Sequence, residues 1–135
     1  MSYLVDANVL SEAVRREPDT RVLSWLRVND SRLYLSTITL GEVEKGILRL
    51  SDGTRRRRLE QWLSNIQSTM SGKLIPFGEL EASTWARYFE QHRASGRILP
   101  TVDSMVAATA IANNLAIVSR NVVDFPGINV VNPWT

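Results

Sequence analysis

The sequence predicts an α/β domain of three layers, α/β/α, built on a central, mostly parallel sheet of four or five strands. Three observations carry this. Short apolar runs alternate with stretches of helical period along the chain. The runs are too brief and too uniformly apolar for strands with one wet face, and they suit strands buried on both sides of a parallel sheet. The 135 residues are 44% hydrophobic and 22% charged, which predicts one domain, residues 1–135, with a closed core. No repeat, low-complexity tract or long linker divides it.

The elements follow in order. Tyr3-Leu4-Val5 is the first strand signal. Asp19-Thr20 can cap a helix carrying Val22, Trp25 and Leu26. Leu33-Tyr34-Leu35 is a second strand, and Leu40, Val43, Ile47 and Leu50 then recur at three- and four-residue steps. Leu59, Trp62, Leu63 and Ile66 repeat that spacing, and Leu74-Ile75 before Pro76 is a further short strand. Trp85, Tyr88, Phe89 and His92 mark a helix that ends near Gly96. The last helix carries Val102, Met105, Val106 and Ala110 and runs to about Asn114. Ala116-Ile117-Val118 and Ile128 to Val131 complete the strands.

Composition removes several function classes. There is no cysteine, hence no disulfide scaffold, thiolate zinc site or cysteine nucleophile. The single histidine, His92, leaves no His-rich metal site. Sixteen Lys+Arg against 14 Asp+Glu give a net charge of only +2, so the chain is not uniformly basic. No apolar run approaches the roughly 20 residues of a membrane span, and no signal-like N-terminus is present. A cytoplasmic location without membrane attachment is expected.

Parallel sheets bind ligands at the carboxyl ends of their strands. Asp6 follows the first strand, and Asp124 lies in the loop after Val118. Glu42 falls in the first turn of the helix after Leu35-Ser36-Thr37-Ile38, and Asp103 in a first turn with Thr101 as N-cap. Taken singly, each acid reads as a loop starter or a dipole-friendly first-turn residue. Taken together, the four land on one edge of the sheet, where their repulsion requires a cation. Hard oxygen ligands without His or Cys select Mg²⁺ or Mn²⁺, ions suited to phosphodiester hydrolysis.

Four strings in this order resemble the PIN-domain ribonucleases, specifically the VapC-type toxins of toxin–antitoxin pairs. They are Tyr3 to Leu10, Ser36 to Ile47, Asp103 to Ala110 and Val118 to Phe125. The resemblance implies a PIN-like fold and a Mg²⁺-dependent endoribonuclease, with Mn²⁺ as a substitute ion. Its acidic centre would be Asp6, Glu42, Asp103 and Asp124. By the same analogy Asp6 and Asp103 would ligate the metal directly, and Glu42 would bind metal or position water. Asn121 stands beside Asp124 as a neutral competitor, and Asn8 and Ser119 could support the ligands by hydrogen bonds. The resemblance further implies a homodimer, an RNA substrate and a cognate antitoxin that blocks the groove.

Arg55-Arg56-Arg57-Arg58 is the densest charge run, readable as an RNA or antitoxin contact or as a solvated helix start. The second role is electrostatically poor at a helix N-terminus unless Asp52 and Glu60 compensate. Arg15, Arg16 and Arg21 could form a basic rim beside Asp6, or could be plain surface. Trp25, Trp62 and Trp85 sit at core spacing, and His92 reads as a packed helix residue. Trp134 could cover a sheet edge or meet a second subunit. The competing functional reading is a non-catalytic RNA- or protein-binding module whose acids hold a structural ion.

Overall fold

The structure is a computed structural model that describes residues 1–135. Five strands form its centre: β1 Tyr3–Val5, β2 Leu33–Ser36, β3 Leu74–Ile75, β4 Ala116–Val118 and β5 Val130–Val131. Their spatial order is β3-β2-β1-β4-β5 and every pairing is parallel. The helices are α1 Ala7–Glu12, α2 Thr20–Val28, α3 Thr37–Leu48, α4 Thr54–Thr69, α5 Glu79–Ala94 and α6 Thr101–Ala112.

Side chains alternate across each strand and so divide the core in two. Val5, Leu33, Leu35 and Val118 point to one face and pack with Val9, Leu10, Val22, Val43, Ile47 and Leu63 from α1 to α4. Leu4 and Ile117 point to the other and pack with Tyr88, Val106, Ala107 and Ala110 from α5 and α6. This is the three-layer arrangement the apolar runs predict. The helices lie close to their predicted spans. Asp19 caps α2, its carboxylate accepting from the Arg21 N–H at 2.9 Å. Gly96, at φ +88°, stops α5 in a left-handed turn that favours glycine.

Several expectations need correction. The segment after Asp6 is not a loop. It is α1, whose single turn and a half was too short for its period to stand out. Glu42 is the sixth residue of α3, in its second turn, because the Ser36 hydroxyl accepts from the Ile38 N–H at 3.0 Å and starts the helix at Thr37. Pro100 rather than Thr101 occupies the N-cap of α6. The last strand is only Val130–Val131, since Phe125 to Ile128 forms a turn. Trp134 is buried in the core beside α1 to α4.

Candidate functional site

β1 is the middle strand, and the chain builds outward from it first through β2 and later through β4. The crevice between β1 and β4 is thus the point where strand order reverses, the usual ligand position in such sheets. Asp6 leaves β1 there and Ser119 leaves β4. The Asp6 backbone N–H donates to the Val118 carbonyl at 2.9 Å, which ties the two strand ends together.

The polar network at this point closes on itself. Ser119 Oγ donates to Asp6 Oδ2 at 2.7 Å. The same oxygen accepts from Asn8 Nδ2 at 3.2 Å and from the Asn121 N–H at 3.0 Å. Asn8 Nδ2 also approaches Asp6 Oδ2 at 3.5 Å, and Asn8 Oδ1 accepts from the Arg120 N–H at 3.3 Å. Asp6 Oδ1 accepts from the Ala7 N–H at 2.9 Å and so caps α1. Asp6 is 4% exposed and Ser119 is fully buried. Asn8 and Ser119 therefore both touch Asp6, whereas Asn121 reaches the network through its backbone.

Three carboxyls in this cleft hold protons more tightly than usual. Burial pushes Asp6 up, against its hydrogen bonds from Ser119 and Ala7, and the Asp124 charge adds to the rise. Burial also raises Glu42, with the charges of Asp6 and Asp103 adding to it. Asp103 is pushed up to about 6, first by burial and then by the charges of Asp6 and Asp124. Four acids far apart in sequence thus share one electrostatic environment. No three of them close into a ready-made ligand cage. Glu42 Oε1 is buried with no hydrogen-bond partner, and so is Thr39 Oγ1 one turn earlier on α3. Trp85 steadies the start of α6: its Nε1 donates at 2.9 Å to the Ser104 hydroxyl, next to Asp103.

A groove of about 320 Å³ runs from Glu42 between α1, α3 and α4. Arg15 and Arg55 line it, with Trp62 and Leu59 in its wall. Arg58 lines a smaller adjoining hollow. Arg56 pairs with Glu60 at 3.7 Å and Arg57 with Asp52 at 3.8 Å, which compensates the helix start locally. Arg16 is exposed and lines neither hollow. Arg21 is paired with Asp19 at 2.7 Å on a different surface. His92 packs against Tyr88, ring centroids 4.6 Å apart and planes tilted by 56°, and lines neither hollow. Arg120 carries no sequence signal beyond standing next to Ser119, because its guanidinium meets the Trp134 ring only through the fold.

The PIN domain model matches residues 3–125. The chain belongs to the PIN-domain family. VapC ribonuclease Y4jK of Sinorhizobium fredii is 33% identical over 136 residues, covering 97% of this chain and 96% of its own. Toxin FitB of Neisseria gonorrhoeae is 33% identical over 138 residues, covering 97% of each. Among solved structures, FitAcB from Neisseria gonorrhoeae superimposes with a TM-score of 0.92 at 32% identity, covering 98% of each chain. This PIN domain thus shares its whole architecture with that structure, from β1 to the C-terminal segment.

Proposed function

We propose that this PIN domain is the ribonuclease toxin of a toxin–antitoxin pair, hydrolysing RNA phosphodiester bonds with a divalent cation at the acidic cleft. The relatives named ribonuclease and toxin support the activity and the biological role, and the similar FitA–FitB assembly supports a protein partner. The observation that carries the chemistry is the convergence of partly or fully buried carboxyls in one cleft. Asp6, Glu42 and Asp103 are raised by burial and by charge within one cleft, and Glu42 Oε1 is buried without any donor. An all-oxygen donor set with excess negative charge fits Mg²⁺, with Mn²⁺ as a substitute.

Asp6 and Asp103 would hold the ion directly, with Glu42 and Asp124 completing its surroundings. When bound, the ion supplies positive charge that acidifies a water and stabilises the leaving oxygen. The chain's own residues do the positioning. Ser119 and the Ala7 N–H fix both oxygens of Asp6, and Asn8 braces Ser119. Glu42, with a free buried oxygen, can accept a hydrogen bond from the attacking water and orient it. Substitution of Asp6 or Asp103 by Asn removes a charge and preserves shape.

The test is incubation of purified protein with cellular RNAs in Mg²⁺, in Mn²⁺ and in chelator, with the cut ends mapped. Cleavage by the wild type in either ion, and its loss in chelator, in Asp6→Asn and in Asp103→Asn, is expected. Cleavage persisting in both variants would refute the acidic-centre assignment.

A further inference from the structure

An acidic cleft repels the phosphates of its substrate, so a nuclease of this kind needs a fixed cation beside it. Of the other arginines near the cleft, Arg15 pairs with Glu12 at 3.2 Å, while the unpaired Arg55 and Arg58 line the groove and its adjoining hollow, neither of which Ser119 lines. Arg120 differs. It is exposed, it has no carboxylate partner among the ion pairs, and it directly follows Ser119, which holds Asp6.

Its backbone is anchored in the site, the N–H donating to Asn8 Oδ1 at 3.3 Å. Its guanidinium lies over the Trp134 ring, 4.8 Å from the centroid. Trp134 is 7% exposed although it is the penultimate residue. It is held by packing in the core and by its own N–H donating to Asn132 Oδ1 at 2.9 Å. The C-terminal segment therefore supplies a buried aromatic floor beneath the side chain of Arg120, whose backbone is held beside Ser119 and Asn8. An arginine stacked on a ring keeps its planar edge of N–H donors free for a phosphate.

We infer that Arg120, held on the Trp134 ring, binds a phosphate of the RNA beside the acidic cleft, with Trp134 as its positioning residue. This rests on the nuclease reading above but is tested through binding, which does not require cleavage. The probe is a fluorescent single-stranded oligoribonucleotide, titrated by anisotropy in chelator over a series of KCl concentrations. The Asp103→Asn protein is the parent, which keeps the probe intact.

Adding Arg120→Met should weaken binding about tenfold, the scale of one charge-assisted hydrogen bond. It should also lower the slope of log K against log salt by about 0.7, as for one lost phosphate contact on a single strand. Arg120→Lys should retain the slope and lose part of the affinity, because it keeps the charge without the planar fork. Trp134→Leu removes the ring and should lose part of the affinity per folded molecule, and Trp134→Phe, which keeps a ring, should restore it to within about twofold of the parent; equal binding by all three would overturn the positioning role. Arg120 is exposed, so the Met variant should fold, and its circular dichroism should match the parent. An unchanged salt slope in Arg120→Met, or no binding by the parent, overturns the inference. Binding that responds as expected, with no cleavage by the wild type in any divalent ion, would instead sink the nuclease reading alone.

Discussion

Replacing Asp103 by Asn should make the folded protein more stable in the absence of divalent ions, although Asp103 sits in the first turn of α6, where a negative charge is ordinarily welcome. The Asp103 carboxyl titrates near 6 instead of 3.8, so burial and the charges of Asp6 and Asp124 outweigh the helix dipole. A folded pKa above the unfolded one means the folded state holds the proton more tightly. The penalty is absent below the unfolded pKa, grows as pH rises, and is complete above about 6. The full shift corresponds to about 3 kcal/mol at 1.36 kcal/mol per unit, and solvent screening of this partly exposed group reduces it to about 1–2 kcal/mol. Urea denaturation in chelator measures it. At pH 7.5 the Asn variant should unfold at higher urea than the wild type, and the gap should close on acidification towards pH 4. A variant equal to or weaker than the wild type at pH 7.5, or a gap independent of pH, would refute the argument that these acids strain one another. The same substitution should abolish cleavage, so stability and activity move in opposite directions.

Other outcomes follow from the same geometry. Mn²⁺ should raise the Tm of the wild type and raise that of Asp103→Asn far less, since a ligand that binds only the folded state stabilises by mass action; equal shifts in a thermal-shift assay would contradict a shared ion. Ser119→Ala leaves Asp6 Oδ2 and the Asn121 N–H short of a partner in a buried place, and should cost about 1–3 kcal/mol by chemical denaturation. It also removes a hydrogen bond that holds the Asp6 carboxyl down, so the acidic limb of the pH–rate profile should move to higher pH. Ile117→Ala, at a fully buried position between β1 and β5, should cost about 3 kcal/mol in denaturation while leaving activity per folded molecule near that of the wild type.

The sequence alone determined the layers and the acids. Brief apolar runs such as Tyr3-Leu4-Val5 and Ala116-Ile117-Val118 suit buried strands, and the helical period of Leu40, Val43 and Ile47 fixes which face of α3 is inside. Those signals are local, and a period survives without knowledge of the rest of the chain. The strand-end rule then nominated Asp6 and Asp124, and the helix starts on the same edge nominated Glu42 and Asp103. Tertiary structure decided what depends on residues distant in sequence. The Ser119–Asp6 hydrogen bond spans 113 positions, and the partners of Arg120 are Asn8 and Trp134. Among the arginines singled out near the cleft, folding set Arg15 and Arg55 in the groove beside Glu42 and sent Arg21 to another surface. A charge's role is set by what stands opposite it in space, and no spacing along the chain encodes that.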